Sequence, residues 1–292
     1  MNNRTTRCPI LDSKDMTAKK IIDLAIKEVK SSGREKMNLI WLEATGCSGN
    51  IISLLNAENP DVIYLLKEMI TLKYNNSLMA AEGEAAFSQF LDTLETDFIL
   101  VVEGAVSTKD NGLYNIIANY NGKRITAMEA VQMAGEKAKY ILAVGTCASY
   151  GGPSAAKPNP SGSVSVSEFL EKEVIRVPGC PSHPDWAIGT IANIVAFGKP
   201  SLDEKNRPII FYGITIHDRC TRRSYFDKEI FATKLGDKEC MFKLGCRGPV
   251  TRTDCPVRKW NSYVNWPIED NTPCIGCAQE RFPDGMEPFV RY

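Results

Sequence analysis

Ten cysteines and two histidines sit in this 292-residue chain, and their spacing suits soft-metal chemistry. Cys47, Cys147 and Cys180 stand alone; behind them come His217-x2-Cys220, Cys240-x5-Cys246, Cys255 and Cys274-x2-Cys277. Thiolate sulfur and imidazole nitrogen are ligands of zinc and of iron–sulfur clusters. The six tail cysteines and His217 exceed one tetrahedral zinc site and fall short of two, whereas a four-ligand cluster plus a three-cysteine cluster uses them all. The pattern reads as an electron wire built of iron–sulfur clusters. Its alternative is a zinc ribbon, in which Cys274-x2-Cys277 and two upstream cysteines close a tetrahedral site and stabilise a non-catalytic binding module. Iron content and a broad brown absorption separate the two readings.

Such ligands need a scaffold that brings them together. The runs 38–42, 98–102, 140–144 and 175–177 are short and mostly apolar, and helix-period stretches at 79–94 and 127–139 precede two of them. Runs of this kind suit parallel strands buried on both faces, so the fold class is α/β, a flavodoxin-like doubly wound parallel sheet followed by a small, irregular iron–sulfur domain. After the strands come Gly46-Cys47-Ser48-Gly49, Glu103-Gly104-Ala105, Gly145-Thr146-Cys147 and Pro178-Gly179-Cys180. Ligands of open α/β sheets bind beyond the carboxyl ends of the strands, where these three cysteines converge. One such cysteine reads equally well as a small buried hydrophobe; three at equivalent strand ends read as a site. The neighbouring glycines let backbone N–H groups approach cluster sulfur. No Lys-Ser/Thr follows Gly46-Cys47-Ser48-Gly49, which excludes a phosphate-binding P-loop. Glu103 lies beside the crevice, where a carboxylate orients a partner or passes protons, or else simply sits at the surface or caps the chain. His183 reads as a hydrogen-bonding loop residue rather than a ligand.

The chain divides into an N-terminal extension at 1–36, the sheet domain at 37–205 and a tail at 206–292. In the extension, residues 17–30 place Ile22, Ala25, Ile26 and Val29 on one helical stripe, to dock a partner or to pack on the chain's own core. Cys8 reads as a free thiol without a role. The tail is rich in Pro, Gly and Cys, which predicts little apolar burial and a need for metal ligation. Lys+Arg and Asp+Glu balance at 35 each, so nothing in the charge recruits nucleic acid or an anionic membrane. No apolar run approaches the ~20 residues of a membrane span. The first residues carry neither a signal h-region nor a twin-arginine pair, and the expectation is a cytoplasmic protein with reduced thiols.

Taken together, these motifs resemble the small subunit of nickel–iron hydrogenases. The resemblance runs from Leu39 to Cys277 and rests on Thr45-Gly46-Cys47-Ser48, Met79-Ala80-Ala81-Glu82-Gly83, Val102-Glu103-Gly104-Ala105-Val106, Gly145-Thr146-Cys147-Ala148, Pro178-Gly179-Cys180-Pro181, His217-Asp218-Arg219-Cys220, Gly245-Cys246-Arg247-Gly248-Pro249, Asp254-Cys255-Pro256-Val257-Arg258-Lys259-Trp260-Asn261 and Pro273-Cys274-Ile275-Gly276-Cys277. It implies a proximal cluster on Cys47, Cys147 and Cys180. A medial [3Fe–4S] cluster is implied on Cys255, Cys274 and Cys277, with Pro267 in the region of a missing fourth cysteine. A distal [4Fe–4S] cluster is implied on His217, Cys220, Cys240 and Cys246. The implied activity is electron transfer for H2 conversion at a NiFe centre carried by a separate large subunit, with an electron acceptor or donor protein at the distal cluster. The chain departs from the family's C-T-G-C at Ala44, which leaves the proximal cluster either [3Fe–4S] or a [4Fe–4S] centre with an oxygen ligand from Ser48, Asn50 or water.

Overall fold

The computed structural model describes residues 18–32 and 36–285, so Cys8 lies outside the described residues. Five parallel strands, β1 (Met37–Glu43), β2 (Ile70–Asn75), β3 (Phe98–Glu103), β4 (Tyr140–Val144) and β5 (Ile175–Val177), form one sheet in the order β2-β1-β3-β4-β5. This is the flavodoxin-like order. The apolar runs at 98–102, 140–144 and 175–177 are strands, and β1 extends its run by a residue at each end. β2 escapes a search for apolar runs because Thr71 and Lys73 interrupt it; it lies at the sheet edge.

Strand alternation assigns the two faces. Leu39 and Trp41 join a core with α2 (Gly49–Leu55) and α6 (Pro184–Phe197), while Ile40, Leu42 and Ala44 join the opposite core with α3 (Gly83–Thr93) and α4 (Ala127–Lys137). Helix α4 starts on a capping box in which Thr126 and Glu129 satisfy each other's backbone N–H groups. A short helix, α5 (Thr146–Tyr150), follows β4 directly. The N-terminal helix α1 (Ala18–Ser32) packs on α6 and buries Ala25 and Val29, so the described part of the stripe covers the chain's own core.

Helix α6 carries few polar residues and is buried on nearly every side, because sheet, α1 and tail all pack on it. The tail therefore buries more apolar surface than its composition predicts. Ile216, Met241, Trp266, Ile268 and Ala278 enter the same core cluster as α6 rather than forming a core of their own. The seam is also charged. The Arg258 guanidinium meets Asp185 at 2.6 Å and Asp254 at 2.7 Å, with side chains no more than 12% exposed. Trp186 donates to Asp254 at 2.7 Å, and the Tyr263 hydroxyl donates to Asp185 at 3.2 Å. Asp185 and Trp186 belong to α6; Arg258, Asp254 and Tyr263 belong to the tail.

Removing the cation would leave two buried carboxylates without compensation. Arg258→Met is expected to lower unfolding free energy by roughly 3–5 kcal/mol. Anaerobic denaturant titration of the loaded protein measures this, and a loss below about 1 kcal/mol, the range of exposed pairs, would remove the triad from the account of the seam.

Candidate metal centres

The loops beyond β1, β3, β4 and β5 are stitched by backbone bonds before any ligand is considered. Thr45 and Ala105 exchange two bonds at 2.9 Å, Gly145 N–H donates to Val177 O at 2.9 Å, and Thr146 N–H donates to Gly179 O at 2.9 Å. Cys47, Cys147 and Cys180 sit on these loops, with Cys47 and Cys180 exposed and Cys147 half-buried. They are close enough that the charges of Cys147 and Cys47 both act on Cys180. Burial first, and then these neighbours, push the Cys180 thiol up to about 11. Gly49 is needed beside them, since a Cβ there would lie 3.0 Å from Cys47 Sγ.

Glu103 and Asn50 hold the crevice together. Glu103 is 1% exposed and accepts from Asn50 N–H (2.7 Å), Asn50 Nδ2 (3.2 Å), Ile51 N–H (2.9 Å) and Trp41 Nε1 (3.1 Å). Burial raises its pKa against the pull of these donors. The carboxylate thus fixes the start of α2 from inside, which is the capping role among those open to it in the sequence. Asn50 Oδ1 accepts from Ser182 N–H at 2.8 Å, which ties the Cys47 loop to the Cys180 loop. Gly145, at φ 87°, admits the same side chain: a Cβ there would lie 2.3 Å from Asn50 Nδ2. Neither side-chain oxygen donor considered for the proximal cluster is free. Asn50 is committed to Glu103 and Ser182, and the Ser48 hydroxyl donates to Glu43 Oε2 at 2.6 Å. Ala44 is buried at 8% exposure in the apolar core on the α3–α4 face.

In the tail, His217, Cys220, Cys240 and Cys246 line one hollow, closed by Ile216, Met241, Phe242 and Ile268. Arg222 N–H donates to Cys220 Sγ and Gly248 N–H to Cys246 Sγ, each at 3.4 Å. His217 packs edge-on against Phe226 at 4.4 Å, and burial, assisted by Arg223, lowers its pKa. The second tail group is Cys255, Cys274 and Cys277. Burial pushes Cys255 up to about 12 and raises Cys274 and Cys277 as well. The groups are near one another: the Cys180 backbone N–H faces Cys277, and Cys246 is close enough for its charge to act on Cys274. Thr146 Oγ1 donates to the Cys277 carbonyl, and Arg247 N–H donates to the Cys274 carbonyl at 2.7 Å.

The donor sets fit iron–sulfur clusters. Buried thiols with raised pKa become thiolates when a cation offsets their desolvation, and N–H groups aimed at sulfur are the expected surroundings of a cluster. Among the described residues, no three His, Cys, Asp or Glu side chains gather tightly enough for a single metal ion. His183 is not among the ligands: its Nδ1 accepts from Asp185 N–H at 3.1 Å and caps α6, and its Nε2 meets Lys259 O at 2.8 Å. Pro267 is exposed, between buried Trp266 and Ile268. Among the described residues, no helix is long and apolar enough to cross a membrane.

Residues 212–290 match the family model for the C-terminal part of the NiFe/NiFeSe hydrogenase small subunit, and residues 47–194 match NADH ubiquinone oxidoreductase, 20 Kd subunit. The periplasmic [NiFeSe] hydrogenase small subunit of Desulfomicrobium baculatum is 38% identical over 284 residues, spanning 90% of each chain. The hydrogenase-2 small chain of Escherichia coli K12 is 40% identical over 83% of this chain and 67% of its own. A solved [NiFeSe] hydrogenase structure from Desulfovibrio vulgaris Hildenborough superposes with a TM-score of 0.83 at 36% identity, covering 89% of this chain and 99% of that one.

Asn50 is the test of the crevice. Asn50→Ala leaves Ser182 N–H and Glu103 short of a partner and is expected to cost about 1–3 kcal/mol. Asn50→Asp adds a carboxylate 3.2 Å from Glu103 and is expected to cost more. Iron counting with EPR should show the proximal signal lost while the tail signals persist; equal loss at all sites would show a general folding defect instead.

Proposed function

This chain belongs to the nickel–iron hydrogenase small-subunit family, and from that premise we propose how electrons cross it. It is the electron-transferring subunit of a hydrogenase, an oxidoreductase whose NiFe site for H2 ⇌ 2 H+ + 2 e− lies in a large subunit. Bound iron–sulfur clusters supply its one-electron carriers. We assign the proximal cluster to Cys47, Cys147 and Cys180, the medial to Cys255, Cys274 and Cys277, and the distal to His217, Cys220, Cys240 and Cys246. What supports placing the Cys255 group between the other two is the hydrogen bonding of its loops, Thr146 to the Cys277 carbonyl on the sheet side and Arg247 N–H to the Cys274 carbonyl on the side of Cys246. The exposed Cys47 and Cys180 mark the face that packs against the large subunit, and His217 marks the exit to an external acceptor or donor. We propose [3Fe–4S] for the medial cluster, [4Fe–4S] for the distal one, and three cysteine ligands for the proximal one. Cytoplasmic residence is part of the same proposal; relatives named as periplasmic make cell fractionation the deciding measurement.

Two substitutions test the ends of the wire. His217→Ala should leave H/D exchange at the large subunit largely intact and slow reduction of a large external acceptor several-fold, because only the exit is altered; an unchanged rate with that acceptor would displace His217 from the exit. At the other end, Ala44→Cys adds a fourth thiol three residues before Cys47. Redox-poised EPR should then show a new proximal [4Fe–4S] signal at lower potential, and an unchanged proximal signal would show that the site already holds a strong fourth ligand or that the thiol stays in the core on the α3–α4 face.

A further inference from the structure

We infer that Thr253 and Trp260 set the reduction potential of the medial cluster by donating two side-chain hydrogen bonds to one of its thiolates, Cys255. The inference rests on the assignment of Cys255, Cys274 and Cys277 to a cluster. Thr253 Oγ1 lies 3.2 Å from Cys255 Sγ and Trp260 Nε1 lies 3.4 Å from it. Thr253 is 1% exposed and Cys255 is 7% exposed, so water does not compete for this sulfur.

The Trp260 ring is held in place by residues outside the three cysteine groups. His183 meets the Trp260 ring edge-on at 4.8 Å, and Trp186 meets it at 5.9 Å with an interplanar angle of 81°. His183 Nε2 bonds the carbonyl of Lys259, the residue before Trp260, at 2.8 Å, and Trp260 N–H donates to Asn265 O at 2.6 Å. The indole N–H is therefore aimed by its packing. Cys220 and Cys246 accept backbone N–H groups, which follow from the turn after a ligand cysteine; Cys255 accepts two side chains that other residues could replace.

A cluster held there would take up one electron on reduction, and part of that charge would reside on the Cys255 sulfur. A donated hydrogen bond stabilises the more negative state more than the less negative one, and the low local dielectric enlarges the difference. No proton transfers: both hydrogens stay on their donors. The two donors thus raise the potential of the middle station relative to a bare thiolate, which biases electron flow across the chain.

The test uses the assembled pair of large and small subunits and redox-poised EPR of the oxidised three-iron signal. Thr253→Val keeps shape and removes the donor; Thr253→Ser keeps the donor and removes a methyl; Trp260→Phe keeps an aromatic ring and removes the N–H. The midpoint should fall in Thr253→Val and in Trp260→Phe, fall further in the double variant, and stay near wild type in Thr253→Ser. Equal midpoints in Thr253→Val and Thr253→Ser, or no shift in any variant, would overturn the inference while leaving the cluster assignment standing. A three-iron signal that persists unchanged in Cys255→Ala would instead remove the assignment, and the inference with it.

Discussion

Burial of sulfur without water is the constraint on which the rest of the molecule depends. Cys255, Cys274 and Cys277 are held where a bare thiolate is unfavourable, and Cys255 is pushed up to about 12. Two consequences follow. On the proposed assignment the thiolate charge would be compensated by iron, so loading the sites would release protons and contribute folding free energy. The surrounding chain must also supply N–H and O–H groups, because a sulfur cut off from water has no other donors. Arg222 N–H, Gly248 N–H, Thr253 and Trp260 do so.

At the sheet end the same demand is met by different means. A parallel sheet ends in loops whose backbone groups lack ladder partners, and here they bond one another across four strands. The interior of the crevice is organised by a carboxylate and an amide. Glu103 fixes two N–H groups of α2, and Asn50 carries that order to Ser182. Gly145 leaves the space for the amide. Cys47, Cys147 and Cys180 are thereby placed by residues outside their own group.

The layered α/β architecture is legible in the sequence because β3, β4 and β5 are short apolar runs, and the C-terminal ends of strands are where such folds put their sites. The edge strand β2 is not, since polar residues interrupt it. The hairpin of 116–120 and 123–126 is marked by Asn121-Gly122, a turn signature that a search for buried strands passes over. Asn50 reads in the sequence as a candidate oxygen ligand; a single amide gives no sign there that it bridges loops 132 residues apart. Composition underestimates the tail's apolar burial because Ile216, Trp266 and Ile268 show no period. They pack singly against α6, and only the assembled surface reveals it.

The spacing of the tail cysteines conveys their number but not their grouping, and the reason lies in Cys274-x2-Cys277. In a zinc ribbon the two sulfurs of such a motif face one ion. Here both belong to the group with Cys255, yet Cys274 also neighbours Cys246, and Cys277 neighbours Cys180. The Gly276 conformation, at φ 76°, accompanies this divergence. Four residues therefore span the distance from the sheet crevice to the hollow of His217. Moving either sulfur by one residue would break a link to a different group of cysteines, so a motif that looks local in the sequence joins distant parts of the fold.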